Sequence, residues 1–414
     1  MRLFIRLLSA LWTIVIGTVF LLAQQLPVKR LDGSKVSPAQ IDAAVHLSME
    51  AAHVTGVGIA ILNGGRVMYL KAYGVRDANE QLPLTPDSVM TAASLTKAAF
   101  ATMVLQLVQE HLIELDKPVY KYLPKPLPEY DAYKDLAGDP RYKQITMRML
   151  LDHTSGFPNW RWLVDDKKLR IYFTPGSRFA YSGEGIDLAQ LVVEKVTNKS
   201  INELMKERLF QPLGMTRTSM VSEEQFQDDH ANRFDEQQHA LGLEQRYRGD
   251  AAGSMQTTLR DYARFVQAVL ANSILDRKHR ELMLKPQIEI VSKHEFPSLS
   301  IETTTDNHAI HLSYGLGWGL YWTPYGKAFF KEGHDEGWRH YVVCFDQPKA
   351  GMLIMTNSSN GEDIYSTLLE KLLGNTFTPL EWEGFKAGRV PISGPASMSE
   401  IEIFSPAIIG RNTF

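Results

Sequence analysis

Strand patterns lie at the two ends of this chain, and helical patterns fill the region between them. Residues 57–62 and 67–73 are strand-like and flank the turn Asn63-Gly64-Gly65, which predicts a β-hairpin. Strand signals return at 328–330, 340–345 and 352–355. This order predicts an α+β fold in which one antiparallel sheet is built from both ends of the chain, flanked by helices and interrupted by an all-α lobe.

The same patterns give the expected domain boundaries. We expect a linker at 24–36, an α/β lobe at about 37–93 and 245–375, and a helical lobe at about 94–244. Ser37 followed by Pro38 is typical of a helix start. The segment 376–414 has no clear periodicity and receives no predicted role. A site would lie between the lobes, where concave pockets tend to form.

The N-terminus predicts export. Arg2 and Arg6 precede an apolar run at 7–23, which suits either a cleaved signal peptide or an uncleaved membrane anchor. Both alternatives place the rest of the chain outside the cytoplasm, most simply in a bacterial periplasm with or without attachment to the inner membrane. The single cysteine, Cys344, excludes an intrachain disulfide and lies in an apolar run that predicts a buried strand.

Composition narrows the class of protein. The chain has 414 residues, of which 44% are hydrophobic and 22% are charged, so it can form a sizeable core. A net charge of −3 and the lack of a long basic run give no indication of a nucleic-acid partner. His308 and His311 have metal-ligand spacing but no third ligand nearby, so neither a metal nor another cofactor is expected.

A candidate nucleophile opens the long apolar helical stretch. Ser94 and Lys97 are three residues apart, which on a helix brings both side chains to one face. A serine hydroxyl needs a base to take its proton, and lysine can act as one only when it is neutral. Burial and the positive end of a helix both lower a lysine pKa, and this sequence context predicts both conditions.

Two further segments carry residues suited to the same chemistry. Tyr181 is a candidate base or proton relay if a lysine ammonium lies beside it. In the later segment, Lys331 would place positive charge on an edge strand, and Gly333 would let substrate backbone approach closely. The next residue, His334, can donate its main-chain N–H to an oxyanion.

Taken in order, these segments resemble the serine β-lactamase and penicillin-binding-protein superfamily. Ser-x-x-Lys is typical of that group, and Lys331-Glu332-Gly333 stands where the group has Lys-Thr-Gly. Residues 150–156, 211–215 and 314–319 resemble further segments of it. The chain looks most similar to the branch with class C β-lactamases, family VIII carboxylesterases and D-Ala-D-Ala carboxypeptidase-like proteins. The resemblance covers about residues 37–375 and implies the β-lactamase/transpeptidase-like fold.

The resemblance also implies a role for each residue. Ser94 would be acylated, Lys97 and Tyr181 would share the work of the base, and the N–H groups of Ser94 and His334 would form the oxyanion hole. Lys331 and Gly333 would contact substrate. His153 would be structural, packing beneath the site.

Two positions depart from the family pattern. Gly183 stands where the family has an asparagine that binds substrate amides, and Glu332 stands where it has a threonine that helps bind a substrate carboxylate. Both positions belong to the expected substrate-binding set, and both changes disfavour penicillin-like substrates. The leading hypothesis is therefore a serine hydrolase of small esters or amides. A β-lactamase or D-Ala-D-Ala carboxypeptidase, and a catalytically weak module that binds peptidoglycan or an envelope partner, remain open, as does the oligomeric state.

Overall fold

A computed structural model describes residues 27–385 of the protein. The predicted signal peptide or anchor at 1–23 lies outside the described residues. Within 27–385, no helix has both the length and the hydrophobicity needed to cross a membrane.

Fifteen strands run through the described part of the chain. They are β1 Val28–Lys29, β2 Lys35–Val36, β3 Gly56–Asn63, β4 Arg66–Asp77, β5 Leu82–Pro83, β6 Val89–Thr91, β7 Arg233–Phe234, β8 Ala240–Gly242, β9 Gln256–Thr258, β10 Ile288–Glu289, β11 Ser313–Tyr314, β12 Gly319–Thr323, β13 Gly326–Asp335, β14 Trp338–Phe345 and β15 Ala350–Thr356.

Eight α-helices accompany these strands. They are α1 Pro38–Ala52, α2 Leu95–Gln109, α3 Met147–Leu151, α4 Gly183–Thr197, α5 Ile201–Met205, α6 Leu259–Ala271, α7 Arg277–Met283 and α8 Tyr365–Leu372. A π-helical stretch, Lys206–Phe210, follows α5. Short 3₁₀ segments occupy Val119–Tyr122, Leu127–Glu129, Asp131–Leu136, Pro140–Gln144, Arg161–Leu163, Glu224–Asp229, His308–Ile310 and Gly361–Ile364.

Nine strands form the central sheet, in the order β10-β11-β12-β13-β14-β15-β3-β4-β5. All neighbouring pairs are antiparallel, and β15 from the end of the chain pairs with β3 from its beginning. The predicted hairpin is confirmed as β3 and β4, whose turn places Gly64 and Gly65 at positive φ. The predicted α+β fold, one antiparallel sheet built from both ends of the chain, is therefore confirmed.

Successive side chains of the central strands point to opposite faces of the sheet, and both faces are covered by helices. In β3, Ala60 and Leu62 pack into the cluster that contains α2 and α6, whereas Ile59 and Ile61 face the cluster that contains α1 and α8. Cys344 is buried in β14, as its sequence context predicts. The helices between β6 and β9 form a lobe against the first of these faces and bring α2 beside β13.

The predicted linker and the unassigned tail both contribute ordered structure. β1 and β2 pair antiparallel within the segment expected to be a linker, because Val28 and Val36 are apolar enough to pack onto the core. At the other end, Trp382 and Phe385 bury their rings in the same cluster. Residues 376–385 therefore pack against the same face of the sheet as α1 and α8.

Candidate active site

Ser94 lies at the junction between a strand and a helix. β6 ends at Thr91, Ala93 adopts a left-handed φ of 47°, and α2 begins at Leu95. A positive φ is unfavourable for alanine, and such strain is typical of functional turns. The turn presents Ser94 at the start of α2, whose first turn carries Lys97.

Lys97 is buried and directed at the serine. Its Nζ donates hydrogen bonds to Ser94 Oγ at 2.9 Å and to the carbonyl oxygen of Ala252 at 2.5 Å. Burial, assisted by the positive charge of Lys331, lowers the pKa of Lys97 to about 8. A sizeable fraction of the lysine is therefore neutral near physiological pH, as a general base requires.

Tyr181 completes the group around the nucleophile. Its hydroxyl is hydrogen-bonded to the Ser94 side chain and accepts a hydrogen bond of 2.9 Å from Lys331 Nζ. Burial, together with the negative charge of Glu332, raises the pKa of Tyr181 well above its usual value. Tyr181 is thus a neutral phenol that can pass a proton, and Lys97 is the better suited of the two as the base.

His153 supports Tyr181 from behind. The two rings are in contact, with centroids 4.3 Å apart and planes tilted by 32°, and His153 Nδ1 accepts a hydrogen bond from the Ser182 N–H at 3.2 Å. Burial and the charges of Lys331 and Lys97 hold the pKa of His153 well below its usual value, so the ring is neutral. Its contacts are those of a structural residue, as the resemblance implies.

Lys331 and Glu332 form an ion pair in the interior. Both are buried in β13, where Lys331 Nζ donates to the Glu332 carboxylate as well as to Tyr181. β12 pairs only with residues 326–330, so β13 presents a free edge from Lys331 onward among the described strands. Glu332 lines the cavity beside Ser94, and the lysine charge is largely neutralised by this carboxylate.

The two residues that follow Glu332 in β13, Gly333 and His334, differ in exposure. A Cβ on Gly333 would lie 2.7 Å from the carbonyl oxygen of Ala92, so glycine lets the strand approach the start of α2. His334 lines the cavity, and its half-exposed ring places Nδ1 3.5 Å from Glu362. The strand edge that carries the His334 main chain therefore faces the same space as Ser94.

Trp160 covers Gly183. A Cβ on Gly183 would lie only 2.4 Å from Cη2 of Trp160, so the indole fills the space where a side chain at this position would project. The same indole lies near Lys97, whose Nζ is 5.8 Å from the ring centroid. Trp160 also stacks on Trp162, with ring centroids 4.6 Å apart. An aromatic wall thus stands where the family places an amide.

Three buried carboxylates gather on the far side of Tyr181. Oxygens of Glu295, Glu332 and Glu383 all lie within 4.8 Å of one another. Burial and the neighbouring carboxylate of Glu332 raise the pKa values of Glu295 and Glu383 well above the usual range. We call these three residues the glutamate cluster.

These groups surround one cavity of about 650 Å³, a size suited to a small molecule. Its walls include the side chains of the nucleophile, base and relay, the glutamate cluster and the aromatic pair: Ser94, Lys97, Tyr181, Glu295, Glu332, Glu383, Trp160 and Trp162. Lys331, Gly333 and Gly183 lie behind this lining. The structure thus brings Ser94, Lys97, Tyr181, Lys331, Glu332 and His334 together.

Sequence reasoning missed three features of this cavity. Trp160 lies four residues after the segment 150–156, which already resembles the family. Its closeness to that segment could have indicated that its side chain belongs to the site. Glu295 comes from an irregular segment after β10, and Glu383 comes from the tail without a predicted role. Neither glutamate has a local pattern that distinguishes it from a surface residue, because only the tertiary fold brings them together.

Comparison with known proteins identifies the family of the chain. The model of the family described as Beta-lactamase matches residues 41–373. Penicillin-binding protein 4* of Bacillus subtilis is 22% identical over 347 residues, which is 74% of this chain and 69% of that protein. Protein flp of Staphylococcus aureus strain COL is 28% identical over 201 residues, but that match spans only 44% of this chain and 38% of the relative.

Solved structures share the fold. A β-lactamase/D-alanine carboxypeptidase from Pseudomonas syringae superposes with a TM-score of 0.65 at 19% identity, covering 84% of this chain and 99% of that one. An octameric penicillin-binding protein homologue from Pyrococcus abyssi gives 0.64 at 24% identity, with coverages of 81% and 77%. A D-amino acid amidase from Ochrobactrum anthropi gives 0.61 at 22% identity, with coverages of 80% and 98%.

Proposed function

The chain belongs to the β-lactamase family, and from this premise we propose that it is a serine hydrolase that forms an acyl-enzyme on Ser94. The observation that carries the proposal is the 2.9 Å hydrogen bond between Lys97 Nζ and Ser94 Oγ, made by a buried lysine with a pKa of about 8. A base with a pKa near the working pH is well matched to removing a hydroxyl proton.

The proposed reaction has two steps. Lys97 takes the proton of Ser94 as Oγ attacks the carbonyl carbon, and main-chain N–H groups of Ser94 and His334 stabilise the oxyanion. The proton then passes through the Tyr181 hydroxyl to the leaving group, and the bond from the carbonyl carbon to the leaving group breaks. Water, deprotonated by the same base, attacks the acyl-enzyme and releases the acid.

We propose small esters or amides as substrates in preference to penicillins. A penicillin carries a carboxylate, and in this cavity that group would meet the glutamate cluster. Lys331 cannot bind that carboxylate as a free cation, because its charge is already paired with Glu332. One structural neighbour is a D-amino acid amidase, and amide hydrolysis by this chain is an extension of that likeness.

The test compares wild-type protein with Ser94→Ala. Incubation with a fluorophosphonate followed by peptide mass spectrometry should label Ser94 in the wild type and give no label at this position in the variant. p-Nitrophenyl butyrate should be hydrolysed by the wild type only. Full hydrolysis by Ser94→Ala would reject the nucleophile, and absence of both label and hydrolysis in the wild type would favour the binding-module alternative.

The substrate preference has its own assay. Nitrocefin, a chromogenic β-lactam with a carboxylate, should be turned over far more slowly than p-nitrophenyl butyrate by the same preparation. Efficient nitrocefin hydrolysis would overturn the proposed exclusion of carboxylate-bearing substrates while leaving Ser94 as the nucleophile.

A further inference from the structure

The glutamate cluster contains two carboxylates without cationic partners. Glu332 is paired with Lys331, but within residues 27–385 no ion pair joins Glu295 or Glu383 to a basic side chain. Tyr341 donates a hydrogen bond of 2.7 Å to Glu383 Oε2, whereas Glu383 Oε1 and Glu295 Oε2 are buried with no hydrogen-bond partner in the described part of the chain. Leaving such oxygens unpaired is unfavourable, because burial removes the water that would otherwise solvate them.

Both unpaired side chains line the cavity that holds the nucleophile. Glu295 is 2% exposed and Glu383 is 6% exposed, yet each contributes to the cavity wall together with Ser94. Both residues therefore reach the cavity wall, and the two oxygens without partners lie at its base, out of contact with bulk solvent. A purely structural role would require a protein donor for Glu383 Oε1 and for Glu295 Oε2, and residues 27–385 supply none for these two oxygens.

The spacing of the cluster fits a primary ammonium. A nitrogen that donates three charge-assisted hydrogen bonds at tetrahedral angles separates its three acceptors by about 4.7 Å. The oxygens of the glutamate cluster lie within 4.8 Å of one another. Three acceptors around one ammonium fall within that limit.

The position of the glutamate cluster indicates which part of a substrate would lie beside it. Tyr181 contacts Ser94 on one side and Lys331 on the other, and Lys331 contacts Glu332 of the cluster. The cluster therefore begins beyond the residue proposed to protonate the leaving group. A group bound there would belong to the substrate close to the bond being broken, on the leaving-group side.

We infer that the glutamate cluster binds a primary ammonium carried by the substrate next to the scissile ester or amide bond. This inference rests on the proposed function, because it assigns a substrate class to the same cavity. The protein would thus select cationic substrates. Glu332, which belongs to the cluster, stands where the family has a threonine that helps bind a substrate carboxylate, so the sign of the recognised charge would be reversed.

A series of aryl butyrates tests the inference on the leaving-group side. The para substituent is aminomethyl, methyl or carboxymethyl, which changes the charge from +1 to 0 to −1 with little change in size. The kcat/KM for the aminomethyl ester should exceed that for the methyl ester by about tenfold or more, as expected for hydrogen bonds to a charged group. The carboxymethyl ester should be the poorest substrate.

A second pair of substrates separates the acyl side from the leaving-group side. β-Alanyl p-nitroanilide and propionyl p-nitroanilide differ only by the acyl-side amine. A preference for the amine among the aryl butyrates that is lost in Glu383→Gln and Glu295→Gln supports the ammonium site. A preference confined to the β-alanyl anilide would place the ammonium on the acyl side and overturn the assignment to the leaving-group side. Glu336→Gln is the matched control, because its exposed side chain lies outside the cavity lining.

The outcomes distinguish this inference from the proposed function. If the methyl ester acylates Ser94 and neither amine-bearing substrate is preferred, the ammonium site is wrong and the hydrolase stands. If no ester acylates Ser94, the proposed function itself fails. If added Mn²⁺ or Mg²⁺ raises the rate and Glu383→Gln removes that gain, the cluster is a metal site and the ammonium inference is overturned.

Discussion

The indole of Trp160 occupies the volume into which a side chain at position 183 would project, with Cη2 only 2.4 Å from the place of a Cβ on Gly183. These two residues therefore constrain each other: a side chain at 183 requires the indole to move, and the indole requires glycine. Since Trp160 also lies near Lys97, this mutual exclusion shapes the cavity directly beside the base.

The first prediction is that Gly183→Ala destabilises the protein by about 1–3 kcal/mol, the usual effect of overpacking a dense region. The same change made in a Trp160→Ala background should be neutral or slightly stabilising, because alanine has less conformational entropy than glycine in the unfolded chain. Thermal unfolding of the wild type, both single variants and the double variant measures the coupling. Equal penalties in the two backgrounds would contradict the steric explanation.

The second prediction concerns the pH dependence of acylation. Lys97 is active when neutral, so the rate of fluorophosphonate labelling at Ser94 should fall about tenfold for each pH unit below its pKa of about 8 and level off above it. Measuring the labelling rate from pH 5.5 to 10 locates the midpoint. A midpoint near the ordinary lysine pKa would argue against a buried, neutral Lys97 as the base.

The third prediction follows from the charges around Lys97. The negative charge of Glu332 raises the pKa of Lys97, so Glu332→Gln should move the midpoint of the pH profile to lower pH, by on the order of half a unit to one unit. Glu336→Gln carries the same chemical change on an exposed side chain and should leave the midpoint in place. A shift toward higher pH in Glu332→Gln would show that the two groups are not coupled in this way.

The fourth prediction tests whether His153 has a structural role or takes part in proton transfer. Replacing His153 by Ala removes the ring in contact with Tyr181 and should destabilise the protein by about 2–4 kcal/mol and slow acylation at least tenfold. Because the ring is neutral, the midpoint of the pH profile should not change. His153→Phe retains an aromatic ring and should recover part of the rate, whereas a shifted midpoint in either variant would indicate a direct role in proton transfer.

The fold was largely predictable because its determinants are local. Ser37 and Gln40 form a capping box at the start of α1, and the Asn63-Gly64-Gly65 turn supplies the positive φ angles that the hairpin needs. The segment 24–36 was harder to interpret, since the strands within it have only two residues each. Their pairing depends on the core beneath Val28 and Val36, which periodicity in the segment itself does not reveal.

The candidate site was predictable to the extent that its residues are close in sequence or belong to short motifs. Ser94 and Lys97 share one helical turn, so their contact follows from spacing alone. The orientation of Glu332 and its pairing with Lys331 depend on side-chain geometry at the edge of β13. Glu295 and Glu383 are separated by 88 positions in the numbering and meet only because both chain segments pack beside that strand.

The last prediction concerns the stability cost of the glutamate cluster. Burial raises the pKa values of Glu295 and Glu383 in the folded state, so the folded protein retains protons that the unfolded chain releases above about pH 4.3. Folding stability should therefore fall as pH rises from that value through the raised pKa values. The glutamine side chain does not titrate, so the folding stability of Glu295→Gln and of Glu383→Gln should fall less than that of the wild type as the pH rises.

Thermal melts at pH 5 and pH 8 measure the effect. Relative to wild type, each variant should gain more stability at pH 8 than at pH 5, with about 1 °C in Tm for each kcal/mol in a chain of this length. The exposed Glu336→Gln should show no such difference. Variants that are less stable than wild type at both pH values would mean that the carboxylates hold the fold together. A gain in stability accompanied by loss of the preference for amine-bearing substrates would instead identify the cluster as a binding site maintained at the expense of stability.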